Sequence, residues 1–165
     1  MSFKEYLLTL KNRLIEKEKL NESQNLTNNN MFLCKASEIG KIIVNKCLDK
    51  GIEINTQKLH KLLVLVQAEC IKDSGFPLFS ESIEIWECGV VIKEVDEDFR
   101  AYGVSFYEHL DEKIVLLHSE IEYINNILRQ YGKLSSYDLN QICLNQEVIF
   151  PKMIEKATVG KVYKK

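Results

Sequence analysis

Residues 56–67 read Thr56-Gln57-Lys58-Leu59-His60-Lys61-Leu62-Leu63-Val64-Leu65-Val66-Gln67. Leu59, Leu62, Leu63, Leu65 and Val66 make this stretch apolar around more than one helical face. A helix apolar around most of its circumference has no face to give to water and belongs at the centre of a core. Thr56 can cap it, because a hydroxyl accepts from an amide of the first turn. Ser74-Gly75 followed by Phe76-Pro77 stops it. The pattern therefore predicts a central helix over residues 57–73 with the other elements wrapped around it. Lys58 and Lys61 interrupt the apolar surface. A lysine so placed ordinarily snorkels to water, the expectation for Lys58. For Lys61, pairing with a buried acid or capping a neighbouring carbonyl stays open.

Moving outward, residues 36–50 form an amphipathic helix with Ile39, Ile42, Ile43, Lys46 and Cys47 on one side and Gly51 after its end. Downstream, Ile83 and Ile85 alternate with Glu84 and Trp86, and Val90 to Ile92 follow, the period of two expected of short strands. Gly89 between them is expected at a turn where a side chain would clash or φ is positive. Trp86, the only tryptophan, is expected to be mostly buried. A short helix over 93–101 closes at Tyr102-Gly103, and residues 104–107 and 113–117 read as strand or loop. Ser119-Glu120-Ile121-Glu122 has the capping-box pattern and opens a helix that turns Ile121, Ile124, Ile127, Leu128 and Tyr131 inward before Gly132. Ser135 or Ser136 caps a further helix through Leu139, Ile142 and Cys143, and Pro151 can begin a last helical turn. The sum is an α+β domain, predominantly α-helical, with a small β-sheet insertion.

Composition shifts mark the organisation. Phe3, Tyr6, Leu7, Leu10 and Leu14 recur at three- and four-residue spacing, an amphipathic helix within residues 1–20. Residues 21–32 are a polar, Asn-rich linker. Residues 33–158 form the globular domain, and 159–165 a basic tail. The full chain has 165 residues, enough to bury a core without metal or disulfide. The longest unbroken apolar run spans Leu62 to Val66, far short of the roughly 20 residues a bilayer requires. The N-terminus lacks the apolar core of a signal peptide, which points to the cytoplasm. A formal charge of −2 argues against a generic nucleic-acid binder.

Catalytic signatures are missing. With seven glycines there is no phosphate-cradling loop, and neither H-E-x-x-H nor G-x-S-x-G occurs. His60 lies ten residues before Cys70, about 15 Å along one helix, so the two cannot form a nucleophile–base pair. Cys34, Cys47, Cys70, Cys88 and Cys143 have no C-x-x-C spacing and read as free thiols of a reducing compartment. No cofactor or metal is expected, and no enzymatic activity. Glu81, Glu84, Glu87, Glu94, Asp96, Glu97 and Asp98 crowd one stretch. They read as a solvated strand edge and helix face, or as an acidic surface for a basic protein.

Three segments in order carry a resemblance. They are residues 54–67, with Leu59, Lys61, Leu62 and Leu63; residues 77–91, with Trp86, Gly89 and Val91, followed by Phe99-Arg100-Ala101-Tyr102-Gly103; and residues 131–139, with Leu134, Ser135 and Leu139. Over about residues 35–158 the chain resembles the Panacea domain family, which includes SocA-like antitoxins and phage-associated GepA-like proteins. The family pattern runs L-Q-K-L-L-Y, then A-W-x-x-G-P-V, then Y-G and S-A-x-x-L. Val64 stands here for its tyrosine and Val90 for its proline, and Leu144 and Ile149-Phe150 stand where a histidine and Pro-Trp signature would be. The chain thus reads as a divergent member. The resemblance implies a non-enzymatic protein-binding module, an antitoxin that neutralises a partner toxin by direct contact and in some members a proteolytic adaptor. A phage or mobile-element protein that inhibits a host defence complex by binding is the alternative, and a degenerate hydrolase a second. The implied partner is a protein, with a homo-oligomer also open, and neither membrane nor nucleic acid. Outside the resembling region, Phe3, Tyr6, Leu7, Leu10 and Leu14 are candidate partner-binding residues on a tethered helix.

Overall fold

The structure, a computed structural model, describes residues 34–145. The N-terminal helix and linker, the last turn at Pro151, the basic tail and the boundary at 158 lie outside the described residues. Helix α1 (Ala36–Asp49) leads into α2 (Thr56–Ser74), and an antiparallel hairpin follows, β1 (Ile83–Trp86) and β2 (Gly89–Ile92). Helix α3 (Lys93–Phe99) passes into a 3-10 turn (Arg100–Tyr102), and after a loop come α4 (His118–Tyr131) and α5 (Ser136–Leu144). The fold is α+β and mainly helical, as the periodicities imply.

Helix α2 touches α1, α3, α4, α5 and β2, which makes it the axis of the molecule. Leu59, Leu62, Leu63 and Val66 are fully enclosed within one core shared with Ile39 and Ile43 of α1, Phe99 of α3, Ile124 of α4 and Leu139 of α5. Burial of this kind is worth about 1.5–3 kcal/mol for each large apolar side chain. Gly75 closes α2 in the left-handed conformation at φ +79, a backbone that side chains with a Cβ resist.

Several boundaries differ from the expectation. Asn55, not Thr56, caps α2: its extended backbone lays the carboxamide over the first turn, where it accepts from the Lys58 amide at 2.8 Å. The Thr56 hydroxyl is turned instead to the carbonyls of Gly103 and Val104, each at 3.2 Å. Helix α4 begins at His118 rather than at a cap on Ser119. Leu117 is buried and precedes the first turn, and Glu120 reaches back to accept from its amide at 3.2 Å. The sheet has two strands among the described residues. Residues 104–106 make a single bridge, Asn55 to Ser105, alongside the start of α2, and residues 113–117 form no strand.

Candidate functional site

The polar side chains of α2 hold the insertion on the helix. Gln67, fully buried, accepts from the Leu78 and Phe79 amides through Oε1 at 2.7 and 3.2 Å and donates Nε2 to the Phe79 carbonyl at 2.8 Å. His60, 2% exposed, accepts from the Ile92 amide through Nδ1 at 3.1 Å. Its Nε2 faces Asp96 Oδ1 at 3.9 Å. Burial first, then the nearby Lys61 amine, lower the His60 pKa to about 4 against the opposing pull of Asp96. Lys61, 1% exposed, donates Nζ to the Cys88 carbonyl at 3.3 Å. Of the roles open to it, capping a carbonyl is the one it takes. Burial holds its pKa below that of an ordinary lysine. Lys58 does not snorkel: it is buried, and burial lowers its pKa as well.

The hairpin these side chains grip turns through Glu87 and Cys88, with Trp86 opposite Gly89. Gly89 has φ +112, and a Cβ there would overlap the carboxamide of Asn140 on α5. That carboxamide is itself committed, accepting from the Val90 amide at 3.0 Å. The sequence-based expectation for Gly89 holds on both counts. Trp86 is partly exposed, with most of its surface covered, in keeping with the expectation. Its indole donates to Glu84 Oε2 at 2.6 Å, and Glu84 takes the more enclosed position.

Between the start of α2 and the hairpin lies a cleft of about 320 Å³. Lys61 and His60 line it from α2, Trp86 and Cys88 from the hairpin, and Asp96 and Arg100 from α3 and its extension. Arg100 is exposed and pairs with Asp96 at 3.2 Å.

Beside the cleft runs a loop whose backbone is anchored at both ends and from which Val104 and Tyr107 face water. At its start the Thr56 amide donates to the Val104 carbonyl at 2.9 Å, and the Phe106 amide donates to the Ile54 carbonyl at 3.1 Å. Phe106 turns inward and meets Phe99 edge-on at 5.5 Å. At its far end the buried Asn45 of α1 brackets Leu110, accepting from its amide at 2.7 Å and donating to its carbonyl at 2.8 Å. Between these anchors Val104 is 75% and Tyr107 86% exposed. Tyr102 stands half-exposed just ahead of them.

The three motif segments meet around α2. Leu59, Leu62 and Leu63 build the core, Lys61 reaches the hairpin turn, and Trp86, Gly89 and Val91 belong to the hairpin itself. Leu139 is enclosed and Leu134 partly so, while Ser135 caps α5 by accepting from the Asp138 amide at 3.1 Å. Phe3, Tyr6, Leu7, Leu10 and Leu14 lie outside the described residues. The acidic run is divided in use: Glu81 accepts from the Ala36 amide at the start of α1, whereas Glu87, Glu94, Glu97 and Asp98 are exposed. Among the described residues no three His, Cys, Asp or Glu side chains converge on a metal position. No described helix is long and apolar enough to cross a membrane. Sequence reasoning missed Gln67, Asn45 and Asn140. Gln67 was within reach, because it lies seven residues after His60 and so on the same face of the helix.

Residues 59–148 match the profile of the SocA-like antitoxin, Panacea domain. No curated protein and no solved structure matches the chain. The match begins inside α2, takes in the hairpin, the cleft wall from α3 and the loop over residues 103–110, termed the display loop, and ends beyond α5, more than half of the chain. The chain therefore belongs to the family of SocA-like antitoxins built on the Panacea domain.

Proposed function

We propose that this protein is an antitoxin that neutralises a partner toxin by direct binding, without catalysis. The observation that carries the reading, beside the family, is the display loop. Two exposed tyrosines, Tyr102 and Tyr107, with Val104 between them on an anchored backbone, supply the aromatic surface that protein interfaces favour. The tethered apolar stripe of Phe3, Tyr6, Leu7, Leu10 and Leu14 is a second docking element in this reading, suited to a groove on the partner.

The test is co-expression with a toxic reading frame from the gene's own neighbourhood. Growth should be restored and the two proteins should co-purify. Val104→Glu with Tyr107→Glu should abolish rescue at an unchanged melting temperature, since both side chains already face water. Deleting residues 1–28 should weaken the complex at least about tenfold while moving the melting temperature by only a few degrees. Rescue that survives the loop variant removes the loop from the interface. Capture of a host defence complex in place of a toxin would support the inhibitor alternative.

A further inference from the structure

Lys61 presents an unusual balance at the floor of the cleft. An ammonium has three donors, and here one is used, on the Cys88 carbonyl at 3.3 Å. No carboxylate among the described residues lies within ion-pair distance of it. A buried cation without a counter-charge is costly, and proteins normally pair one. Among the described residues Asp96 is the only acid on the cleft wall, and it is turned to Arg100 at 3.2 Å and to His60. The mouth carries a second cation, Arg100, and an aromatic wall, Trp86.

We infer that this cleft is a carboxylate-binding site, filled in the complex by an acidic side chain of the partner protein that enters between Arg100 and Lys61. The inference rests on the protein-binding reading above and names what the partner must present. A volume of about 320 Å³ is at the small end of enclosed ligand sites and suits a side chain. A carboxylate on its own stem reaches a buried amine without drawing the partner's backbone into the cleft. The stem lies against Trp86 and Val91 while the head takes up the unused donors of Lys61.

Trp86 is the chain's one tryptophan and lines the site, so its emission reports occupancy. The full chain is titrated with N-acetyl-glutamate methylamide and, at matched ionic strength, with N-acetyl-glutamine methylamide. The expected result is a saturable change with the glutamate probe and binding about tenfold weaker for the glutamine probe, the scale of one charge-assisted contact. Lys61→Met, which keeps length and removes charge, should erase the preference while still melting cooperatively. Should that variant fail to fold, Arg100→Gln at the exposed mouth decides, with an expected loss of about threefold in the glutamate affinity. Equal responses to the two probes, no saturable response, or a preference unchanged in either variant overturns the inference. Failure of growth rescue by the unaltered protein would instead refute the antitoxin reading and leave the titration standing.

Discussion

Helix α2 is buried both against α4 and against the hairpin, and the two contacts are closed by different chemistry. Toward α4 the contact is mainly apolar, with Ile124, Ile127 and Leu128 enclosed in the common core, and a side-chain hydrogen bond runs from the Tyr123 hydroxyl to Asp73 near the end of α2. Toward the hairpin and the segment that leads into it, His60, Lys61 and Gln67 reach across to main-chain groups of residues 78, 79, 88 and 92. Apolar packing is non-directional and tolerates small changes of shape. A buried hydrogen bond is directional, and removing one partner strands the other without water. The α4 side should therefore absorb substitution, and the hairpin side should fail at single positions.

Five substitutions would break or sharpen that contrast. Gly89→Val should have the largest effect, about 4 kcal/mol, since it combines backbone strain at φ +112 with overlap onto Asn140. Thermal denaturation measures it. Asn140→Gly in the same chain should recover at most part of the loss, because the strain persists when the overlap is gone and the Val90 amide loses its acceptor. Full recovery would show that crowding alone selects glycine there.

Gln67→Met should cost about 3 kcal/mol, as two buried amides and a carbonyl lose their partner. Hydrogen exchange should accelerate at Leu78 and Phe79 more than in α4. A loss spread evenly over the molecule would mean the hairpin is not separately pinned.

His60 supplies the pH dependence. In the unfolded chain it binds a proton near pH 6.5, but in the folded chain only near about 4. Its contribution is complete above pH 6.5 and is lost as the pH falls toward 4, about 2 kcal/mol of it by pH 5. His60→Asn keeps an acceptor for the Ile92 amide and cannot titrate. Chemical denaturation should show a shallower decline from pH 7 to 5 in this variant than in the parent. Parallel curves would mean that the histidine charges freely in the fold.

Ile127→Val on the α4 side should cost only about 1 kcal/mol, the removal of one methyl group from a packed site. A larger loss than that of Gln67→Met would reverse the comparison.

The same contrast explains what could be read from the residues alone. Periodicity found α1, α2, α4 and α5 because each turns an apolar stripe to one core. Alternation around Ile83 and Ile85 found the hairpin, and the glycine after its turn was legible because few other residues fit there. Ser135 caps α5 as its sequence suggests, whereas the caps of α2 and α4 were misplaced by one or two residues. Asn55 and Thr56 are both competent, and only the position of residues 103–104 decides which oxygen is free to cap. The cleft was not legible. It is made by residues from α2, the hairpin and α3, and no local pattern records that Lys61 ends beside Cys88 rather than at the surface. Nor could spacing reveal that Asn45 meets Leu110, a contact across 65 positions.

That contact between Asn45 and Leu110, with its counterpart between Ile54 and Phe106, has a consequence for association. Fixing a residue from a free ensemble costs about 1–2 kcal/mol of conformational entropy, and a loop that orders only on docking meets that cost in the complex. Here folding has already met it, because both ends of the stretch carrying Val104 and Tyr107 are tied to α1 and α2. A partner docking on those side chains would find the backbone that carries them preorganised. The complex should then gain its lifetime through slow dissociation, with little temperature-dependent loop ordering in its heat of binding.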